Sequence, residues 1–317
     1  MIVTLAGGVG ASRFLLGLCA VVDPASVVAV VNTGDDVVLH GLHVCPDIDT
    51  VTYALAGVVH PEQGWGRAGE TWAVMDALGA LRAAAPASSA AGETWFRLGD
   101  RDLATHLYRT QRRREGAVLS EVTAELARAW GVRSRLLPMT DDPVETRVVV
   151  DDEGEIGFQE YFVGRAHAVA VRAVRFAGAE AARPAPGVLE ALAGAERVVV
   201  APSNPLVSIA PILAVPGIDE AVAARRENTV AVSPIVAGAA LRGPAARLLA
   251  ELGHEPSVVG VARLWAPWAA ALVVDEADAA LAPAVEEEGV RCVVAPTVMR
   301  GPDQAAALAR VVMEAHG

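Results

Sequence analysis

Residues 2–10 read Ile-Val-Thr-Leu-Ala-Gly-Gly-Val-Gly, a short apolar run that breaks into glycines. Residues 27–36 show the same order again, with Val-Val-Ala-Val-Val followed by Asn-Thr-Gly-Asp-Asp. A continuous apolar run is typical of a strand buried on both faces of a parallel sheet. A glycine turn after such a strand presents backbone amides to a phosphate. The two stretches predict an α/β fold with a three-layer, doubly wound, mainly parallel sheet of Rossmann-like type.

Further strand signals alternate with Ala-, Leu- and Arg-rich stretches of helical spacing. The predicted strands are Ile2–Ala6, Val27–Val31, Arg147–Val150, Ala168–Val174, Arg197–Ala201, Thr229–Val232, Val258–Val261, Ala271–Val274 and Val290–Val294. Helices are expected at Ser12–Ala20, Glu70–Ala83, Leu103–Arg114, Ser120–Trp130, Gly187–Gly194 and Gly243–Leu252. Residues 133–164 alternate like short exposed strands, with a turn at residues 151–154. We therefore predict a nucleotide-binding core at 1–51 and 133–317, with a helical insertion at 52–132.

Composition limits the classes of function. The chain has 317 residues, 53% of them hydrophobic, and a net charge of −12. This acidic balance argues against a nucleic-acid partner, which would favour a basic surface. All 26 basic residues are arginines, so a phosphate-loop Gly-Lys-Ser/Thr is excluded, and arginines or backbone amides must hold any phosphate.

The cysteines and the apolar runs indicate the cellular compartment. Cys19, Cys45 and Cys292 are far apart and form no Cys-x-x-Cys pair, which is typical of a reducing cytosol and predicts a cytoplasmic protein. The first apolar run reads as a strand and not as a signal peptide. No uninterrupted apolar run approaches the length of a membrane span, so no membrane association is expected.

The glycine turn has two local interpretations. Gly8 and Gly10 fit a dinucleotide-binding G-x-G-x-x-G, in which Asp35 would bind a ribose, but Arg13 stands where the third glycine belongs. This departure disfavours a nicotinamide-dependent dehydrogenase and favours another phosphorylated ligand. A glycine turn of this kind is also common as a plain βα turn.

Four aspartates lie within fifteen positions after the second strand: Asp35, Asp36, Asp47 and Asp49. If residues 46–50 are extended, Asp47 and Asp49 point to one side and can share a divalent cation. The alternative is that Asp49 or Thr50 caps a helix that starts at Val51. Ligands bind at the carboxyl ends of strands in such sheets, so a ligand site is favoured over a solvated turn.

Two later loops repeat this placement of small polar residues after a strand. Residues 202–208 contain two prolines together with Ser203, Asn204 and Ser208, and residues 233–243 follow the next strand. Polar loops that converge on one edge of a sheet indicate a binding site. The charged cluster at residues 97–102 reads, by itself, as a surface loop that caps the following helix.

Taken in order, these motifs resemble the 2-phospho-L-lactate transferase family of coenzyme F-420 biosynthesis. The resemblance rests on Gly-Gly-Val-Gly at 7–10, Asn-Thr-Gly-Asp-Asp at 32–36, Cys-Pro-Asp-Ile-Asp-Thr at 45–50, Leu-Gly-Asp-Arg-Asp-Leu-Ala-Thr-His at 98–106, Leu-Pro-Met-Thr-Asp-Asp-Pro-Val at 137–144, Phe-Gln-Glu at 158–160, Pro-Ser-Asn-Pro-Leu-Val-Ser-Ile at 202–209 and Val-Ser-Pro-Ile-Val at 232–236. The arginine-only, alanine-rich composition looks actinobacterial, which favours the branch that uses a phosphoenolpyruvate-derived donor. Ala11, Ala237 and Arg242 depart from residues common in the family.

The resemblance implies a magnesium-dependent transferase. The donor would be a guanosine diphosphate ester of phospholactate or of its enolpyruvyl analogue. The acceptor would be the ribityl hydroxyl of the deazaflavin precursor 7,8-didemethyl-8-hydroxy-5-deazariboflavin, and GMP would leave. Such phosphoryl-type transfer depends on positioning and charge neutralisation more than on covalent catalysis.

The resemblance also implies roles for individual residues. Asp49 would be the catalytic residue that orients or deprotonates the acceptor hydroxyl, and Arg97 would be a second acceptor contact. Asp35 and Asp47 would hold Mg²⁺. The donor's nucleotide and phosphates would be held by Gly8, Gly10, Ser12, Asn32, Ser203, Asn204 and Ser208. The insertion at 52–132 would form the acceptor pocket, where Trp65, Trp72 or Trp95 could stack on the flat deazaflavin.

A non-catalytic regulator of metabolism that binds a nucleotide sugar is the alternative function, because a sister group of similar fold shares the glycine turn. The blocks at 45–50 and 98–106 favour the transferase. A homodimer is expected from the family.

Overall fold

The computed structural model describes residues 1–151, 154–240 and 243–315. Its strands are β1 (Ile2–Ala6), β2 (Val27–Val31), β3 (Val37–Leu39), β4 (Leu42–Val44), β5 (Arg135–Pro138), β6 (Glu145–Val150), β7 (Gly154–Gly157), β8 (Val171–Ala177), β9 (Arg197–Val200), β10 (Thr229–Val232), β11 (Ile235–Val236), β12 (Ala239–Ala240), β13 (Ala271–Val274) and β14 (Arg291–Val294).

The α-helices are α1 (Gly8–Val21), α2 (Pro46–Leu55), α3 (Ala73–Arg82), α4 (Asp102–Arg114), α5 (Leu119–Ala129), α6 (Val188–Ala193), α7 (Ala210–Leu213), α8 (Ile218–Ala223), α9 (Ala245–Glu251), α10 (Val258–Trp265), α11 (Ala282–Glu287) and α12 (Pro302–Glu314). No helix among the described residues combines the length and the apolarity that crossing a bilayer requires.

The central sheet has seven parallel strands in the order β14-β13-β10-β9-β1-β2-β5. The chain builds outward from β1 to β2 and β5 on one side, and from β9 to β14 on the other. The strand order therefore reverses between β1 and β9, and this switch point is where ligands bind in open α/β sheets. The predicted doubly wound, mainly parallel fold is confirmed.

Alternating side chains of the central strands divide between two cores, because successive residues of a strand point to opposite faces. Val3 and Leu5 of β1 pack into one core with helices α6, α7, α9 and α10. Ile2 and Ala6 pack into the other core with α1, α2 and α12. The sheet is covered on both faces, which explains why its strands read as continuous apolar runs.

The strand predicted at Val258–Val261 is wrong, because these residues begin α10. The side chain of Ser257 accepts hydrogen bonds from the amides of Val259 and Gly260, at 3.1 and 3.2 Å, and so caps the helix. A short Val-rich run fits a buried helix as well as a strand, and the preceding serine was the signal that distinguishes them.

The region predicted as short exposed strands divides between two sheets. β5 joins the edge of the central sheet, where its final proline is tolerated. β6 pairs antiparallel with β7 and β8 in a separate three-stranded sheet. Asp152 and Glu153 of the predicted turn lie outside the described residues, as does Arg242.

The segment 52–132, predicted as a helical insertion, contains the end of α2 followed by α3, α4 and α5, with loops at residues 56–72 and 83–101. Its standing as a separate unit stays a prediction. An antiparallel hairpin of β3 and β4 precedes α2. α4 packs against this hairpin and against α5, and α5 in turn packs against the edge strand β5.

Candidate functional site

The loops after β1 and β9 meet at the switch point. Ser203 Oγ donates a hydrogen bond of 2.7 Å to the carbonyl of Gly7. A Cβ on Gly10 would lie 2.1 Å from the carbonyl oxygen of Pro202, and one on Gly7 would lie 2.8 Å from Cβ of Ser208. The glycines thus allow two backbones to touch, and the structure brings the predicted donor segments at 7–10 and 202–208 together.

Some predicted donor-binding side chains already have local partners. The Ser12 hydroxyl is buried and donates to the carbonyl of Val9 inside α1, at 3.0 Å. Asn204 Oδ1 accepts from the amide of Leu206 at 3.0 Å. These contacts fix the backbone of each loop, so backbone amides are the groups that the two loops offer to a ligand.

Asn32 joins the end of β2 to the start of α2. Its Nδ2 donates to Asp47 Oδ2 at 2.9 Å, and its Oδ1 accepts from the amide of Gly34 at 2.8 Å. Both polar atoms of a fully buried amide are therefore satisfied within the protein. The predicted contact of Asn32 with the donor stays a prediction, while its structural role is to hold the Asp47 carboxylate.

Residues 46–50 are not extended, as one interpretation of the sequence expected, but form the first turn of α2. The cap predicted at Asp49 or Thr50 is also wrong, since Cys45 is the N-cap and Pro46 the first helical residue. On a helix, positions two apart lie about 200° apart. Asp47 therefore faces β1 and β2, and Asp49 faces α4.

Three carboxylates lie beside the end of β2, with Asp35 and Asp47 buried and Asp36 half-buried. Burial raises the pKa of Asp35 well above its ordinary value, and the neighbouring charge of Asp47 raises it further. Burial also raises the pKa of Asp47, against the amides of Asn32 and Gly8, which lower it. For Asp36, burial is again the largest cause, and its pKa rises to about 8. Acids crowded in this way favour either protonation or a cation.

The residues present fit a divalent cation. Asp35 Oδ1 and Asp36 Oδ1 are buried and have no hydrogen-bond partner within the described part of the chain. Both are carboxylate oxygens, and Mg²⁺ commonly binds one or two carboxylates together with substrate phosphates. The predicted pair, Asp35 and Asp47, lies in this group.

Asp49 lies in a different environment, which sequence reasoning missed. Its two carboxylate oxygens accept from the two terminal nitrogens of Arg109, one of them at 3.1 Å. Burial acts to lower the pKa of Arg109, but the surrounding charges, Asp49 foremost, raise it above its ordinary value. Arg109, His106 and Asp102 share one face of α4, and that i, i+4, i+7 spacing is the signal that could have found them.

A second candidate metal cluster is present at the same place. Asp49, Asp102 and His106 offer ligand atoms that lie within 4.8 Å of one another. The guanidinium of Arg109 already neutralises Asp49 and would repel a cation there. No arginine is among the described groups that shift the pKa of Asp35 or Asp47. At Asp36, Arg109 lowers the pKa, but burial raises it by more.

Two cavities open beside the site. One, of about 190 Å³, is lined by Trp65, Trp72, Arg97 and Asp102. The Arg97 guanidinium lies 4.7 Å from the Trp72 ring centroid and pairs with Asp76 at 2.9 Å. The other cavity, of about 310 Å³, is lined by Asp35, Asp36, Trp95 and Phe158, with others. The candidate stacking residues Trp65 and Trp72 thus share a cavity with Arg97, and Trp95 does not.

The loop after β10 explains one departure from the family pattern. Ala237 has φ of +50°, in the left-handed region that glycine adopts without strain. Its amide donates to Asp278 Oδ2 at 2.9 Å. A glycine at this position would adopt the same backbone conformation without strain.

The fold and the site define a doubly wound α/β protein with an acid-rich candidate site near its topological switch point. The family model for the 2-phospho-L-lactate transferase CofD matches residues 2–298, and the chain belongs to this transferase family. The resemblance seen in the motifs is therefore confirmed, and a nicotinamide-dependent dehydrogenase is excluded as the interpretation of the glycine turn.

Similar proteins include curated transferases. The chain is 47% identical to a phosphoenolpyruvate transferase of Kitasatospora aureofaciens, over 98% of this chain and 96% of that protein. It is 39% identical to one of Mycolicibacterium smegmatis, over 100% and 98%. A Bacillus halodurans protein of the UPF0052 family has a TM-score of 0.60 at 16% identity, covering 99% of this chain and 98% of its own, which shows the shared fold.

Proposed function

We propose that the protein transfers a phosphoenolpyruvyl group from a guanosine diphosphate-linked donor to the ribityl hydroxyl of the deazaflavin precursor, in coenzyme F-420 biosynthesis. The hydroxyl oxygen forms a bond to the phosphorus that carries the enolpyruvyl group. The bond from that phosphorus to the GMP oxygen breaks, GMP leaves, and the hydroxyl proton is lost. The relatives named phosphoenolpyruvate transferases favour this donor over the phospholactyl one.

One observation carries the proposal. The glycine turn after β1 touches the 202–208 loop. Asn32 holds the Asp47 carboxylate beside this contact. A Cβ added to Gly7 would lie only 2.9 Å from Asp47 Oδ2. Backbone amides that can face a diphosphate and buried carboxylates that can hold a cation thus adjoin at the switch point. That is the pair of components that phosphoryl-type transfer needs.

Asp35 and Asp47 would hold the Mg²⁺. Bound there, the ion would neutralise the charge of the donor's diphosphate and of the departing GMP. The chain's own contribution is to keep these acids buried and oriented, Asp47 through the hydrogen bond from Asn32.

The acceptor would bind on the α4 side. Arg97, Trp65 and Trp72 line one cavity, whose indole rings offer flat surfaces for a deazaflavin ring. Asp49 would accept a hydrogen bond from the ribityl hydroxyl and so direct its oxygen at phosphorus. Because Arg109 already neutralises Asp49, an orienting role suits this carboxylate better than that of a strong base.

The regulator that binds without turnover is the second candidate function. Such a regulator shares the glycine turn, but binding without turnover would not require the bidentate pair of Asp49 with Arg109 beside the acid cluster. The names of the relatives favour a transferase as well. The homodimer and the cytoplasmic location expected from the sequence stay predictions.

The test is to incubate purified protein and Mg²⁺ with the deazaflavin precursor and each donor in turn. Mass spectrometry should find the phosphodiester and equimolar GMP, faster with the enolpyruvyl donor. Nucleotide binding without either product would contradict the proposal and favour the regulator.

Removal of the metal gives a second test on the same assay. Excess EDTA should abolish product formation, because the diphosphate charge would then lack its cation, and an excess of Mg²⁺ over EDTA should restore it. Unchanged turnover in EDTA would contradict the metal role of Asp35 and Asp47.

A further inference from the structure

Behind Asp49, α4 presents a face of buried polar side chains that the proposed chemistry has not used. Thr105, His106, Arg109 and Thr110 are all buried there, on a helix whose other residues are exposed or half-buried. Burying a charged arginine is costly unless its partners are close and well oriented. Such a buried polar face is therefore expected to have close, oriented partners on the neighbouring elements.

Arg109 is held from several directions. It is 1% exposed, and its two terminal nitrogens donate to the two oxygens of Asp49. Its Nη1 also donates to the carbonyl of His43 at 3.1 Å, on β4. This fork fixes the plane of the Asp49 carboxylate as well as its position, because guanidinium and carboxylate pair in one plane.

A second layer supports the first. His106 Nδ1 lies 3.7 Å from Asp49 Oδ2, and His106 Nε2 lies 3.2 Å from Asp102 Oδ2. On α2, one turn beyond Asp49, the Tyr53 hydroxyl donates to Asp102 Oδ1 at 2.5 Å and lies 2.7 Å from Thr105 Oγ1. Positions 49 and 53 of α2 therefore face positions 102, 105, 106 and 109 of α4 as a continuous polar ladder.

The ladder leaves Asp49 little freedom. An ionised carboxylate has about four lone-pair directions, and the Arg109 fork occupies one edge of it. The remaining directions are fixed in space, and the residue is only 5% exposed. A group that must aim a hydroxyl at phosphorus works only when it is held to a fraction of an ångström.

We propose that Arg109, supported by His106, is the positioning residue for Asp49: its bidentate pair sets the direction in which Asp49 receives the acceptor hydroxyl. The inference rests on the proposed function of Asp49. A purely structural ion pair between α2 and α4 would instead affect stability and leave the chemistry of the folded protein unchanged.

The variant Arg109→Lys separates these roles, because lysine keeps the positive charge and loses the planar fork. We expect kcat to fall about 100-fold in the folded protein, while nucleotide affinity measured by calorimetry stays unchanged. Rates are referred to the nucleotide-binding fraction, so that unfolded protein does not count. Arg112→Lys is the matched control: this arginine lies on the same helix, is partly exposed and pairs with Glu115 and Glu125, and kcat should not change.

His106→Gln gives a second route if Arg109→Lys does not fold. It removes the imidazole that lies between Asp49 and Asp102 and 3.3 Å from Arg109 Nη1, and it leaves Arg109 in place, so we expect a smaller fall in kcat, again with unchanged nucleotide affinity. Wild-type kcat in either folded variant, with only a lower melting temperature, would overturn the positioning role. Wild-type protein run alongside reports on the proposed function itself, and absence of product there would overturn both.

Discussion

Asp47 and Asp49 are two positions apart on the first turn of α2, and their surroundings are opposite. Asp47 meets two neutral donors, the Asn32 side chain and the Gly8 amide, together with the charge of Asp35. Asp49 meets a guanidinium that takes both of its oxygens. No arginine is among the described groups that shift the pKa of Asp47, whereas Asp49 pairs with Arg109.

The difference shows how two acids on one turn of a helix can have different roles. An uncompensated buried carboxylate attracts a cation from outside, since burial disfavours its charged form. A compensated carboxylate keeps its charge and its orientation without one, and is free to contact a neutral hydroxyl. We infer that α2 separates a metal side, towards β1 and β2, from an acceptor side, towards α4.

The largest effect is expected on the acceptor side. Asp49→Asn keeps the shape of the side chain and removes its charge, so transfer should slow by about 10²–10⁴-fold. GDP affinity measured by calorimetry should be retained, because the donor loops lie on the other face of α2. Asn is preferred to Ala here, because its carboxamide oxygen can still accept a hydrogen bond from Arg109. Loss of the opposite charge beside buried Arg109 would still cost about 3–5 kcal/mol of stability, so rates are referred to the folded, GDP-binding fraction.

Asp23→Asn is the control for that variant, because Asp23 is a surface acid that precedes β2 at the opposite edge of the sheet. Its transfer rate should equal that of the wild type. A wild-type transfer rate in Asp49→Asn would contradict the proposed contact of Asp49 with the acceptor hydroxyl.

A smaller effect is expected from the contact between the donor loops. Gly10→Ala would place a methyl group against the Pro202 carbonyl, and we expect a loss of about 1–3 kcal/mol in the free energy of unfolding and weaker GDP binding. Gly79→Ala is the matched helical control, where the nearest atom to the new Cβ is 3.6 Å away. It should stabilise the protein by up to about 1 kcal/mol. Both values come from urea unfolding, and equal effects of the two variants would contradict the close approach of the loops.

Much of the core could be predicted from the sequence because continuous Val-rich runs have few other interpretations. β1, β2, β10 and β13 have the predicted bounds. The errors fall where a short pattern is ambiguous: α10 opens on Val-Val-Gly-Val, and β5 is a four-residue edge strand that ends in proline.

Less of the candidate site could be predicted from the sequence. Glycines and small polar residues after strands predicted the meeting of the loops at 7–10 and 202–208, because strand ends converge at one edge. The separation of Asp47 from Asp49 depends on whether residues 46–50 are helical, which the Pro46 at the first helical position could have indicated. Arg109 is sixty residues from Asp49, and no local pattern predicts such a pairing.

The most direct test of the two sides of α2 is the Mg²⁺ dependence of the transfer rate in Asp47→Asn and Asp49→Asn. If Asp47 binds the metal, Asp47→Asn should raise the Mg²⁺ concentration for half-maximal rate by about tenfold or more, equivalent to about 1.4 kcal/mol of metal binding. Asp49→Asn should lower the maximal rate and leave that concentration unchanged. A shift of the Mg²⁺ midpoint in Asp49→Asn, with none in Asp47→Asn, would contradict the account.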